Sequence, residues 1–131
     1  MTINYLQQYV RRYVRQYFPL KLTDFDNVMT SAYNVKTITY FDKKGDNIGY
    51  IEYKPNIGKI CLFFITTPKY RNRGLGKEIL NNVLEDIKCH GTKRVWLVTN
   101  KCPHPFWEMN GFTYTKSPDI SVTLHGYTKN L

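Results

Sequence analysis

The chain has 131 residues, 42% of them hydrophobic and 15% aromatic, and its 19 Lys and Arg against 10 Asp and Glu give a formal charge of +9. One domain is expected over residues 1–131, since dividing so short a chain leaves neither part an adequate core, and the aromatic share excludes a disordered chain. The charge favours an anionic partner, whether nucleotide, nucleic acid, acidic protein or membrane surface, and does not choose among them.

Leu6, Val10, Val14 and Tyr17 recur at helical spacing and Pro19 follows, which predicts an N-terminal helix with Arg11, Arg12 and Arg15 on its solvated face. A shorter helix is expected from Asp24 or Asp26, each a good N-cap, toward Ala32. From Val35 the residues turn β-branched and aromatic. Thr37 to Phe41 reads as a strand, Asp42 to Asn47 as turn chemistry and Ile48 to Tyr53 as the hairpin partner. After a turn at Lys54 to Gly58, the run Ile60 to Ile65 is apolar at every position, the mark of a central strand buried on both faces.

Leu75, Ile79, Val83 and Ile87, with Leu80 and Leu84 beside them, form a long helical stripe that Gly91 closes. Arg94 to Val98 reads as another buried strand and Pro105 to Met109 as a short helix stopped by Asn110-Gly111. Phe112 to Lys116 and Ile120 to Leu124 read as closing strands. This order predicts an α/β (α+β) fold, a mixed sheet flanked by helices.

Chemistry concentrates where the apolar strand runs through Pro68-Lys69-Tyr70 into Arg71-Asn72-Arg73-Gly74-Leu75-Gly76 and then directly into the long helix. Such a junction points unpaired backbone N–H groups outward at the positive end of a helix, which is an anion site. Gly74 and Gly76 let a phosphate approach the backbone, and Lys69, Arg71, Arg73 and Lys77 supply cations, so a ligand with several phosphates is expected. Spacing excludes two nucleotide motifs. A P-loop needs Ser or Thr where Glu78 follows Gly76-Lys77, and a dinucleotide fingerprint needs glycine where Ile79 stands.

The segment resembles the acyl-coenzyme A signature of the GNAT N-acetyltransferases, in which Arg or Gln, two residues, Gly, one residue, then Gly or Ala stand between a strand and a helix; Arg71, Gly74 and Gly76 match it. A second match lies downstream, where Asn100 is followed seven residues on by Trp107 and then by Glu108, Met109, Asn110, Gly111 and Phe112. The resemblance covers the chain from about Val35 to its end. It implies a mixed, mainly antiparallel central sheet flanked by helices and splayed between the strands 59–66 and 94–98. It further implies that acetyl-CoA is bound, with the N–H groups of Asn72, Arg73, Gly74, Leu75, Gly76 and Lys77 holding the pyrophosphate. The main chain of Phe64, Ile65 and Thr66 pairs with the pantetheine arm by strand addition, and Asn100 and Trp107 complete the cofactor site. The implied activity is transfer of the acetyl group to an amine, on a small molecule or a protein.

The sequence departs from the family at the reaction itself. Trp107 stands where many relatives keep the Tyr that donates a proton, and Ile60-Cys61-Leu62 stands where several keep a Glu or His as base. Glu52 on the neighbouring strand is the substitute base expected here, with Tyr114, Cys102 and His104 as proton donors and water able to replace any of them. Cys89-His90 and Cys102-Pro103-His104 match no common zinc spacing, so no metal is expected.

Two other functions compete: a module that binds acyl-CoA without chemistry, and a basic nucleic-acid-associated protein supported by charge alone. Three cysteines and a start without a basic-then-apolar leader suggest a reducing compartment, cytoplasmic or nuclear, as monomer or homodimer. The longest strongly apolar run falls far short of the ~20 residues of a membrane span.

Overall fold

The computed structural model describes residues 20–66, 70, 74–100, 104–115 and 125–131. The predicted N-terminal helix and the predicted strand at Ile120 to Leu124 lie outside these residues. The described elements are a 3-10 turn at Leu22–Asp24, β1 (Asp26–Ala32), β2 (Val35–Phe41), β3 (Asn47–Lys54), β4 (Lys59–Ile65), α1 (Leu75–Cys89), β5 (Arg94–Thr99), α2 (Pro105–Met109), β6 (Thr113–Thr115) and β7 (His125–Asn130). The strands form one sheet in the order β1-β2-β3-β4-β5-β7-β6. Neighbours run antiparallel except β4 and β5, which are parallel.

The expected helix after Asp24 is a strand instead. Asp26 to Ala32 pairs with Val35 to Phe41 in unbroken register, from Asp26 opposite Phe41 to Ala32 opposite Val35. Tyr33 and Asn34 join the two with φ of 53° and 65°, the positive pair that a two-residue hairpin of matching twist requires. Asp24 caps only the 3-10 turn, its carboxylate accepting from the Lys21 N–H at 3.3 Å. Partnership with β2 outweighs the local cap signal, as tertiary context commonly does over propensity.

β4 also differs from expectation. Ile60 is buried, but Leu62 and Phe64 are 53% and 46% exposed. The register against β3 slips at Glu52/Tyr53, where Tyr53 faces Ile60 and Glu52 faces Leu62, so Cys61 is the extra residue of a bulge. β5 likewise alternates, with Val95 and Leu97 buried, Arg94 exposed and Trp96 half-buried. Both strands are apolar on two faces in sequence, yet the described helices cover one face.

That covered face carries the core. Leu75, Ile79, Leu80, Val83, Leu84 and Ile87 of α1 pack on Ile38, Tyr40, Ile51, Tyr53, Ile60, Val95 and Leu97. At the C-terminal end of α1, Asp86 accepts from the Tyr53 hydroxyl at 2.6 Å and from Lys36 Nζ at 2.9 Å, tying the helix to β3 and β2. α2 joins on the same face through Trp107, whose ring meets Phe63, Phe106 and Phe112 at 5.0 to 6.0 Å. By strand alternation the opposite face presents Tyr50, Glu52, Leu62, Phe64 and Trp96.

Among the described residues β4 and β5 share one pairing, Lys59 with Trp96, supported by the Trp96 N–H donating to the Gly58 carbonyl at 2.8 Å. From that vertex they part, so the sheet is splayed between β4 and β5 as the resemblance implies. No described helix is long and apolar enough to cross a membrane.

Candidate functional site

The wedge opens toward the N-terminus of α1. Gly74 caps that helix with φ of 85°, and the first intrahelical bond runs from the Glu78 N–H to the Gly74 carbonyl at 3.1 Å. The amides of Leu75, Gly76 and Lys77 precede that bond, in the first turn, where a helix supplies its own N–H groups with no intrahelical acceptor. A Cβ on Gly74 meets no described atom within 4 Å, so its requirement is conformational. Gly76 has a packing reason as well: a Cβ there sits 3.2 Å from the Phe106 ring, so the missing side chain lets α2 pack against α1.

Tyr70 holds the lead-in to this junction, its ring edge-on to Phe25 at 5.3 Å and its hydroxyl donating to Asp42 Oδ2 at 3.4 Å. Glu78, the acid of the first helical turn, accepts the Leu22 N–H at 3.1 Å. A row of outward amides with Lys77 exposed beside them suits a pyrophosphate. Lys69, Arg71, Asn72 and Arg73 lie outside the described residues, as does Cys102.

On the β4 side of the wedge the three expected partners for an extended arm are not equivalent. The Thr66 N–H donates to the Ile48 carbonyl at 2.9 Å and its hydroxyl to the Asn47 carbonyl at 2.7 Å. Phe64, two residues back, faces β3 in the same sense, so Ile65 is the one whose main chain turns toward β5. Asn100 follows the end of β5, exposed. Trp107 is 7% exposed and belongs to the aromatic cluster under the wedge.

The expected acid and base groups stand on opposite faces of the sheet. Glu52 lies on the face turned away from α1, opposite Leu62, and accepts from the Tyr50 hydroxyl at 3.3 Å. Tyr50 stacks on Phe64 with ring centroids 5.5 Å apart. Burial, then the Glu52 charge, raises the Tyr50 hydroxyl above its ordinary value. Tyr50 was not expected at the site, although its position two residues before Glu52 on a strand puts both on one face. Cys61 lies at the bulge, and burial pushes its thiol upward despite Lys59.

Tyr114 and His104 sit on the helix side. Tyr114 pairs with Tyr127, packs edge-on to it at 5.8 Å and places its hydroxyl 3.3 Å from His125 Nδ1. His104 caps α2, its N–H donating to the Tyr127 hydroxyl at 3.0 Å, and that hydroxyl donates to Glu108 Oε1 at 3.3 Å. Among the described residues no three His, Cys, Asp or Glu converge as metal ligands.

A mixed sheet splayed at a parallel pair, with a long glycine-capped helix following the strand on one side of the splay, is the arrangement of the acyl-CoA-binding acetyltransferases. The chain belongs to the Acetyltransferase (GNAT) family, whose profile matches residues 5–112. Among solved structures it resembles an acetyltransferase of the GNAT family from Staphylococcus aureus Mu50, at 21% identity over 73% of this chain and 68% of that one, TM-score 0.63. The PaiA N-acetyltransferase of Thermoplasma acidophilum, in complex with coenzyme A, is similar at 19% identity over 75% of this chain and 62% of that one, TM-score 0.64. A GNAT acetyltransferase from Elizabethkingia anophelis with acetyl-CoA bound matches at 13% identity over 82% and 99% of the two chains, TM-score 0.64. At these identities the likeness is one of fold. The chain spans less than two thirds of the Thermoplasma protein's length. No curated protein matches the chain significantly.

Proposed function

We propose that the protein is a single-domain N-acetyltransferase that uses acetyl-CoA and transfers its acetyl group directly to an amine. The observation that carries the reading is the wedge between β4 and β5, whose parted strand edges suit an extended amide-bearing arm, as the N-terminus of α1 suits its phosphates. Leu75, Gly76 and Lys77 bind the pyrophosphate, with Asn72, Arg73 and the signature Arg71 completing the loop. Ile65 pairs with the arm, and acetyl-CoA supplies the activated acyl group as a thioester.

Glu52 receives the proton of the attacking amine, and the Tyr50 hydroxyl orients its carboxylate. The departing thiolate is protonated from the helix side, by Tyr114, His104 or water. Direct transfer agrees with Cys61: a thiol raised by burial stays protonated near neutral pH and makes a poor acyl-accepting nucleophile.

The test is release of free thiol from acetyl-CoA across a panel of amines. Glu52→Gln is expected to lower kcat by about 10²- to 10⁴-fold, the range for loss of a general base, with little change in acetyl-CoA affinity. Unchanged kcat removes Glu52 from the mechanism. The second reading, a binding module without chemistry, draws on Trp107 lying buried where an acid is expected. Thermal stabilisation by acetyl-CoA with no thiol released by any amine is its signature.

A further inference from the structure

β1 is an edge strand of the sheet, and among the described residues it hydrogen-bonds to β2 and, through the Asp26 side chain, to Lys43. Its pairing fixes which backbone groups point away from β2. The two-residue turn of positive φ makes Ala32 and Val35 the hydrogen-bonded pair beside it, and alternation then turns Thr30, Val28 and Asp26 toward β2 as well. Asn27, Met29 and Ser31 therefore aim their N–H and C=O groups outward, where they have no partner among the described residues. All seven residues of the strand are exposed, Val28 and Met29 by more than half. The strand also lacks the usual protections of an edge: it contains no Pro, Lys or Arg, and its register against β2 runs without a bulge. The opposite end of the sheet closes on β6, which is three residues long.

Symmetry and charge decide what fits this edge. Asn27, Met29 and Ser31 are evenly placed about Met29, so an antiparallel strand of the same sequence, with Met29 opposite Met29, meets every outward group. Met29 exchanges a pair of bonds with its counterpart and each Asn27 a pair with the Ser31 opposite, about six bonds in all. Val28 then faces Thr30 and Asp26 faces Ala32, so the only charged residue of the strand meets no like charge. In a chain of net charge +9 few surfaces can meet their own copy without bringing cations together. We infer that the protein forms a homodimer by antiparallel pairing of β1 with β1 of a second copy, about a two-fold axis at Met29. The two sheets become one. Met29 and its counterpart lie side by side on the face of the buried Ile38, and Val28 lies on the other. β4 stands three strands away from β1, so the wedges of both copies stay outside the contact. An interface of one strand pair is small, and the dimer is of micromolar rather than nanomolar strength.

Sedimentation equilibrium of the full chain tests this. The mass is expected to rise from 15.5 kDa toward twice that value between about 1 and about 300 μM, and more readily as salt screens the net charge. A mass fixed at 15.5 kDa throughout overturns the inference and leaves the edge to another segment of the same chain or to a different partner. Ser31→Pro removes an N–H that points away from β2, once in each copy. It is expected to weaken association by about ten- to a hundredfold with an unchanged urea midpoint. Met29→Lys, at an exposed side chain, brings two cations together at the axis and is expected to weaken association to a similar extent. If either variant folds and dimerises as tightly as the unaltered protein, the contact lies elsewhere and the inference falls. If Ser31→Pro unfolds, Met29→Lys decides by the same criterion. Residues directly paired across such an axis stand about 5.5 Å apart, within reach of a disulfide. On oxidation Met29→Cys should therefore give a covalent dimer that the unaltered protein, with Cys61, Cys89 and Cys102, does not. Failure to form it overturns the axis at Met29.

Discussion

Tyr53 shows how much one hydroxyl can organise. Its ring is 1% exposed and its hydroxyl donates to Asp86, which also accepts from Lys36 and lies 3.7 Å from His90. Burial alone raises the Asp86 carboxyl, but the Tyr53 hydrogen bond, followed by the Lys36 hydrogen bond and charge, outweighs it and holds the group below the ordinary aspartate value of 3.8. Burial and the same hydrogen bond push the Tyr53 hydroxyl up. A lowered folded-state carboxyl adds stability that is present above that ordinary value and is lost as pH falls through the folded-state value. Tyr53→Phe is therefore expected to cost about 1–2 kcal/mol at neutral pH. It should also flatten the acid limb of the stability curve, read from urea midpoints across pH 2 to 6. An unchanged acid limb assigns that slope to other carboxylates.

At the scale of the element, the vertex of the wedge depends on a turn glycine. Gly58 has φ of 70°, its carbonyl accepts the Trp96 N–H, and a Cβ there would lie 2.1 Å from the Arg94 carbonyl oxygen. That atom belongs to the backbone and cannot swing aside, so Gly58→Ala is expected to destabilise by about 3 kcal/mol or more. The measurement is equilibrium unfolding in urea, and a loss below about 1 kcal/mol would show that the β4–β5 junction yields, contrary to close packing. The β1–β2 hairpin illustrates the opposite limit of sequence reading. Its turn, Tyr33-Asn34, lacks the glycine that usually signals such a hairpin, and Asp24 and Asp26 ahead of β1 imitate helix caps. The pairing of Asp26 to Ala32 against Val35 to Phe41 is a long-range choice that no local preference announces.

For the molecule as a whole, α1 and α2 pack on one face of the sheet while Val28, Leu62 and Phe64 stay about half exposed on the other. A cofactor that binds the folded wedge and not the unfolded chain must stabilise the whole. At a hundredfold excess over its Kd, acetyl-CoA is expected to add about 2.7 kcal/mol, seen as a rise in Tm that acetate does not reproduce. No shift with acetyl-CoA would mean that the wedge does not bind it. Glu52 and Tyr50 stand on the face of the sheet turned away from α1, and Tyr114 and His104 on the side that α1 and α2 cover.

By itself the sequence determined the long amphipathic helix, the glycine turn before it, the short Pro105–Met109 helix and the family. Each follows from local spacing, charge or backbone freedom within one stretch of chain. Tertiary structure alone decided that Gly76 makes room for Phe106, that Ile65 rather than Thr66 turns toward β5, that the Tyr50 hydroxyl bonds to Glu52, and that β4 is bulged, with α1 and α2 on one side of it. An apolar strand records that a face can be buried. Whether a helix is there to bury it depends on residues distant in the chain, and sequence spacing carries no measure of that distance.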